Sequence, residues 1–265
     1  MKHILTIQDL SCVGRCSLTV ALPVLSAMGL RCSVLPTAVL STHTGFPSPV
    51  VRSLTEELLP FAQHWKACGV RFDAASVGYL SDPEQARVVG TVLELLEIPL
   101  VILDPVLGDG GRLYSRMTQA HLEAVRQLCA RADVLLPNLT EAAFLTGRPY
   151  EEQPGEPEKL LEELQTLTSR VVVTGLTRGE GTIGVCGAEP GQAPFFRYTP
   201  RIPRQLHGTG DLFAAVLAGS LLKNLTLETA ALRAAEFVRC CVEATPVQSP
   251  HGVEFEPLLP RLYED

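Results

Sequence analysis

No run of basic residues occurs anywhere in the chain. Its 22 Lys and Arg are scattered among 29 Asp and Glu, for a net charge of −7. Binding to nucleic-acid phosphates needs clustered Lys and Arg, so composition argues against a nucleic-acid partner. Small phosphorylated ligands stay open, because backbone amides or a metal ion can hold them. Long apolar runs are also missing. None approaches the ~20 residues of a spanning helix. The apolar stretch after Met1-Lys2-His3 is too short for a signal peptide. No membrane partner is expected. The eight cysteines include no C-x-x-C pair and no zinc spacing. With 46% apolar residues and 19% charged, 265 residues can bury a full core without disulfide staples, and disorder is excluded. The cysteines read as mostly buried, reduced thiols, and the compartment as cytoplasmic.

What is present is an alternation of short apolar runs and amphipathic stretches. Strands are expected at 3–7, 32–36, 74–77, 100–103, 134–136 and 170–174. Helices are expected at 17–28, 49–64, 83–96, 118–131, 139–146 and 156–167. This spacing specifies an α/β chain: a mostly parallel sheet with helices on both faces, its strands continuously apolar because both faces are covered. Two β-like runs, 182–186 and 195–198, follow without helices and are expected as antiparallel edge strands. Two apolar helices, 209–222 and 227–243, close the chain. The Pro/Gly/Glu-rich stretch 148–157 reads as a surface loop, since the alternation resumes beyond it. One domain, 1–265, is expected.

Several familiar signatures are absent. There is no Gly-x-x-x-x-Gly-Lys-Ser/Thr, no Gly-x-Gly-x-x-Gly after a strand, no Gly-x-Ser-x-Gly and no His-Glu-x-x-His. The strongest positive signal is His207-Gly208-Thr209-Gly210-Asp211, which opens a long apolar helix. A helix start leaves backbone N–H groups unpaired and partly positive. The glycines let an anion approach them, and Asp211 beside them can take a proton from an attacking alcohol. An acid-capped helix with a flexible lead-in has the same sequence.

Asp104-Pro105-Val106-Leu107-Gly108-Asp109-Gly110-Gly111 follows an expected strand, which puts Asp104 at the ligand-binding edge of an open α/β sheet. Asp104 and Asp109 can hold a magnesium ion through water, or simply belong to a polar turn. In Pro137-Asn138-Leu139-Thr140-Glu141, Asn138 and Glu141 have capping-box spacing, compatible with a second role for Glu141 near metal or phosphate. Ser11-Cys12-Val13-Gly14 and Ser41-Thr42-His43-Thr44-Gly45-Phe46 offer hydroxyls and an imidazole on the same edge, and Tyr79 adds an aromatic rim.

Taken in order, these motifs resemble the ribokinase superfamily and, within it, the pyridoxal kinase family, from Ile4 to about Thr245. Gly208-Thr209-Gly210-Asp211-Leu212-Phe213-Ala214-Ala215 is the most specific part. The resemblance implies a three-layer ribokinase-like fold and ATP-dependent phosphorylation of the 5′-hydroxymethyl group of a vitamin B6 vitamer. It implies Asp211 as base, with Gly208, Thr209 and Gly210 stabilising the transferring phosphoryl group. It implies Asp104 and Glu141 around Mg2+, and Asp109, Tyr114, Asn138 and Thr174 near the nucleotide. Ser11, Thr44 and Tyr79 would contact the pyridine ring. Such kinases are usually homodimers that need Mg2+, often with a monovalent cation such as K+.

One departure stands out. The first loop of pyridoxal kinases commonly reads Ser-x-Val-x-x-Gly-x-x-Gly-Asn, whereas here Ser11-Cys12-Val13-Gly14-Arg15-Cys16-Ser17 lacks the later Gly-Asn. The loop leaves the preferred vitamer, and the part played by Cys12 and Cys16, open. The related hydroxymethylpyrimidine (phosphate) kinases typically carry Cys where this chain has Asp211, so the acid favours a B6 kinase. A catalytically idle vitamer-binding protein is the remaining alternative, and it would not need a base at this position.

Overall fold

The computed structural model describes residues 1–179 and 181–263. In chain order the strands are β1 (His3–Ser11), β2 (Arg31–Leu40), β3 (Val51–Ser53), β4 (Ala74–Val77), β5 (Val101–Leu103), β6 (Gly108–Asp109), β7 (Arg112–Leu113), β8 (Val134–Leu135), β9 (Arg170–Leu176), β10 (Thr182–Ala188) and β11 (Phe195–Pro200). The helices are α1 (Leu18–Ala27), α2 (Thr55–Ala67), α3 (Pro83–Leu95), α4 (Gln119–Leu128), α5 (Leu139–Thr146), α6 (Pro157–Leu164), α7 (Thr209–Leu222) and α8 (Leu227–Ala244), with 3₁₀ turns at Cys129–Arg131 and Glu256–Leu262.

Nine strands form one sheet in the order β11-β10-β9-β8-β5-β4-β1-β2-β3. The six from β9 to β2 are parallel. β3, β10 and β11 are antiparallel at the edges, as the missing helices around 182–198 implied. Side chains alternate between two cores: Leu5 and Ile7 face one, Ile4 the other; Val171 and Val173 face one, Val172 the other. Helices α2 to α6 cover the first face, and α1, α7 and α8 the second. Residues 212–220 of α7 are buried on every side, which explains why this helix is apolar all round.

The chain winds away from β1 in both directions, to β2 on one side and β4 on the other. A crevice opens outside the carboxyl ends of strands at such a reversal. Ser11 ends β1, Tyr79 follows β4, Asp104 follows β5 and Asn138 follows β8. The fold therefore gathers on one edge residues that lie far apart in sequence.

Three segments differ from expectation. The helix expected from residue 49 begins only at Thr55, because Val51–Ser53 pair with Ala38–Leu40 and commit their backbone to the sheet. The Gly-rich segment after Asp104 contains a two-stranded hairpin, β6–β7, in place of a plain turn. Only Cys129, Cys186 and Cys241 are buried; Cys12 and Cys68 are exposed, although all eight cysteines are free. Among the described residues no helix is long and apolar enough to cross a membrane.

The placement of α7 makes a stability prediction. Leu217→Ala, at a fully buried position, should cost about 2–5 kcal/mol in urea unfolding. Leu232→Ala, on the 36% exposed side of α8, should stay within about 1 kcal/mol of wild type.

Candidate active site

Asp104 and Glu141 meet behind the β6–β7 hairpin. Strand β5 delivers Asp104, and α5 delivers Glu141 from its first turn. The link between them is Val106, a β-branched residue at φ +43°. That conformation costs about 1–3 kcal/mol and persists only where the surroundings hold it. It lets the Val106 N–H reach Asp104, while the next N–H, of Leu107, donates to Glu141 Oε1 at 2.9 Å. Glu141 Oε2 accepts the Asn138 N–H at 2.9 Å, and Asn138 Oδ1 accepts the Glu141 N–H at 3.0 Å. The capping box read from the sequence is thus present, and Glu141 also holds the loop after β5. Burial pushes Glu141 up to about 7 against these amide bonds. Asp104 is raised well above the usual carboxylate range by burial, then by Glu141 and Asp211.

These carboxylates fit a magnesium site. Backbone amides of Asn138, Leu107 and Gly108 occupy three of the acceptor positions of the Glu141 carboxylate and leave room for a further ligand. Mutual repulsion, with no cation among the groups that shift either acid, is what a divalent ion would relieve. Mg2+ is commonly held by one or two carboxylates, waters and substrate phosphates.

The second half of the site is the start of α7. Gly208 lies at φ +84°, and a Cβ there would collide with the Arg15 carbonyl. Only glycine permits both the left-handed turn and the close approach. Gly252 closes from the other side, its own Cβ position lying 3.1 Å from the same carbonyl. A Cβ at Gly210 would meet nothing within 4 Å, so the start of α7 is open on that side. Asp211 stands in that first turn, its carboxylate accepting the Ser17 N–H. Burial, and then Asp9, push it up to about 6.

The ring-side candidates frame the same opening. Ser11 is buried and donates to Asp9 Oδ2 at 2.9 Å. Tyr79 is buried up to its hydroxyl, which lacks a well-formed hydrogen bond and faces Arg116 and Asp9. Thr44 lies on the exposed rim of the loop after β2. Beside it, His43 is buried with its ring centroid 4.7 Å from His207 and 4.8 Å from Phe46. His43 Nδ1 accepts the Gly45 N–H at 3.0 Å, and burial and then His207 lower its pKa. A cavity of about 300 Å³ lies against this pair, lined also by Leu206, Ser249 and Pro250. A larger hollow of about 440 Å³, between Leu22, Val34 and Trp65, sits on the outer side of β2 and contains none of these groups.

Among the residues expected near a nucleotide, Asn138 Nδ2 donates to the Gly108 carbonyl at 2.8 Å, and Thr174 bridges Asn138 through the backbone. Tyr114 is pushed up by desolvation and then by the carboxylates of Glu141, Asp109, Asp104 and Asp211, which places its phenol in their field. Asp109 is exposed on the hairpin and accepts Gln205 Nε2 at 3.2 Å. Thr44 and Asp109 therefore sit on the rim, while buried Glu141 and half-buried Asp104 and Asp211 lie deeper. Cys16 is raised by burial, then by Asp211 and Asp9, which keeps it a thiol and makes it a poor nucleophile.

Sequence reading missed three contributors. Asp9 carried a signal, the one acid in strand β1. The pairing of His207 with His43 and the strain at Val106 had none, because both arise from tertiary contact.

Comparison with known proteins agrees with this geometry. The model of the phosphomethylpyrimidine kinase family matches residues 23–254. A pyridoxine/pyridoxal/pyridoxamine kinase of Bordetella avium is 32% identical, over 86% of this chain and 80% of that one. The crystal structure of Lactobacillus plantarum pyridoxal kinase superposes with a TM-score of 0.93 at 36% identity, covering 99% of this chain and 96% of that one. A Bacteroides thetaiotaomicron protein, provisionally classed as a phosphomethylpyrimidine kinase and crystallised with pyridoxal, has a TM-score of 0.94 at 35% identity, covering 98% and 95%. The mostly parallel sheet with antiparallel edges is the ribokinase-like arrangement of these neighbours. The chain belongs to the phosphomethylpyrimidine kinase family and, within it, to the pyridoxal kinases.

Proposed function

We propose that this protein is an ATP-dependent kinase that phosphorylates the 5′-hydroxymethyl group of a vitamin B6 vitamer, in salvage of the 5′-phosphate. One observation carries the reading: a half-buried carboxylate, Asp211, stands in the first turn of a helix whose start is open at Gly210. The named relatives act on, or bind, this class of ring alcohol.

Phosphoryl transfer asks the protein for positioning and charge stabilisation more than covalent chemistry. The acceptor hydroxyl oxygen bonds to the γ-phosphorus as the bond to the β–γ bridging oxygen breaks. ADP leaves with that electron pair, and the hydroxyl proton passes to Asp211. The amides of Gly208, Thr209, Gly210 and Asp211 face the charge that spreads over the equatorial oxygens. An acid near pKa 6 is ionised at neutral pH yet basic enough to take the proton late. Asp104 and Glu141 would hold Mg2+, whose role when bound is to neutralise polyphosphate charge. Asn138, Tyr114, Thr174 and Asp109 would line the nucleotide side, and Ser11, Tyr79 and Thr44 the ring side. A monovalent cation such as K+ and a cytoplasmic location complete the reading, with residues 1–265 acting as one catalytic unit.

The altered first loop has a structural rationale. Gly14, at φ +108°, lies so close to His43 that a Cβ would meet the imidazole. The His43 ring thus packs the loop that a later Gly-Asn shapes elsewhere in the family. The matching family description keeps a second substrate in view, hydroxymethylpyrimidine.

We also read the protein as a homodimer. Leu22 and Val34, 41% and 36% exposed, line the apolar hollow outside β2, and Phe61, 44% exposed, lies beside its Trp65, a face suited to a second copy. Sedimentation should give a dimer that Val34→Glu with Phe61→Glu dissociates; a wild-type monomer contradicts this.

Purified protein with Mg-ATP should convert pyridoxal, pyridoxine or pyridoxamine to its 5′-phosphate, and chelation should stop turnover. No turnover with any vitamer, or a higher kcat/KM for hydroxymethylpyrimidine, overturns the substrate assignment. Asp211→Asn should lower kcat by about 10²- to 10⁴-fold with ATP binding retained. Because the base must be ionised, wild-type kcat/KM should fall as pH drops through about 6. A pH-independent rate between 5 and 7 would remove Asp211 from that role.

A further inference from the structure

Asp9 lies near the carboxyl end of β1, two residues before Ser11, yet nothing in the mechanism above uses it. It is 4% exposed. Opposite it the β1–β2 register slips: Gln8 pairs with Pro36 but Leu10 with Val39, so three residues of β2 span two of β1. Such bulges re-aim side chains next to active sites. Asp9 Oδ1 accepts the Ser17 hydroxyl at 2.5 Å and Oδ2 accepts the Ser11 hydroxyl at 2.9 Å. No basic side chain is among the groups that shift it. A buried carboxylate held by two hydroxyls and its own N–H, with no cation, is an expensive arrangement, and an amide could satisfy one hydroxyl without the charge.

Ser17 shows what the arrangement accomplishes. It occupies the N-cap position of α1, but its hydroxyl makes no capping bond and goes to Asp9 instead. Its backbone is left-handed, at φ +51°, unusual for a residue other than glycine. In that conformation its N–H reaches the Asp211 carboxylate. A continuous path therefore runs from the Asp9 carboxylate through the Ser17 hydroxyl and main chain to the base.

We propose that Asp9 is a positioning residue for phosphoryl transfer: through Ser17 it fixes the N–H that orients the Asp211 carboxylate, and through Ser11 it fixes a hydroxyl at the ring-binding edge. The proposal rests on Asp211 being the base of the kinase. The charge of Asp9 has a second effect, since it opposes ionisation of Asp211 and keeps that acid basic. The other titratable groups in the same field are Cys16, Asp104 and Tyr114. The Arg15 side chain is engaged by Glu254 and Glu256, and His207 stacks on His43.

The test compares wild type, Asp9→Asn and Ser17→Gly in steady-state assays with Mg-ATP and pyridoxal across pH 5 to 8, after thermal melts establish folding. Asp9→Asn should lower kcat by about 10-fold or more while the KM for ATP stays within about 2-fold. Its acid limb in kcat/KM should move to lower pH, because a negative neighbour of Asp211 is gone. Ser17→Gly keeps the left-handed backbone and the charge of Asp9 but loses the tether; kcat should fall about 5-fold or more with the acid limb unmoved. A folded Asp9→Asn enzyme with wild-type kcat, or with its acid limb in the wild-type place, overturns the proposal. If Asp9→Asn does not fold, a near-wild-type kcat for Ser17→Gly overturns it alone. Wild-type protein inert toward every vitamer would instead refute the kinase reading, and the same assay separates the two failures.

Discussion

The docking of the α7 start against the loop that follows β1 is the constraint on which the site depends. Gly208 comes so close to the Arg15 carbonyl that no side chain fits between them, and the Ser17 N–H joins Asp211 across the same seam. Two segments nearly 200 residues apart are thereby locked together where a substrate alcohol and a transferring phosphoryl group would meet. The seam is reinforced from the C-terminal side: the Arg15 N–H donates to the His251 carbonyl at 2.7 Å, and the Val253 N–H to the His207 carbonyl at 3.0 Å. The tail after α8 thus belongs to the active-site scaffold.

Electrostatics gives the other half of the account. Asp104, Glu141, Asp211 and Asp9 converge with no cation among the groups that shift them, and burial pushes each upward. Left alone, such a cluster opposes ionisation and taxes stability. A magnesium ion held by Asp104 and Glu141, as proposed above, would relieve that cost and favour a nucleotide polyphosphate at this site. Backbone strain at Val106 and the left-handed Ser17 fit the same pattern, since strained residues persist where rigid surroundings hold them for function.

Much of this was legible in the sequence because it rests on local chemistry. Alternating apolar runs specified the parallel sheet. The missing helices around 182–198 specified its antiparallel edge. Asn138 and Glu141 announced their box by spacing, and the glycines before Asp211 announced the start of α7. The unread features arise from contact between distant segments. β3 displaced the start of α2 because a neighbouring strand offered it partners at Ala38–Leu40. The burial of His43 depends on Gly14 and His207, and the role inferred for Asp9 depends on a register slip against β2, neither of which leaves a mark in local composition.

The most direct measurement of the central claim is a crystal structure with ADP, a planar phosphoryl mimic, Mg2+ and pyridoxal. The account requires an Asp211 carboxylate oxygen within about 3 Å of the 5′-hydroxyl oxygen, with the mimic's oxygens on the amides of Gly208–Asp211. A complex in which that carboxylate lies outside hydrogen-bond reach of the hydroxyl, and the mimic away from the start of α7, would contradict it.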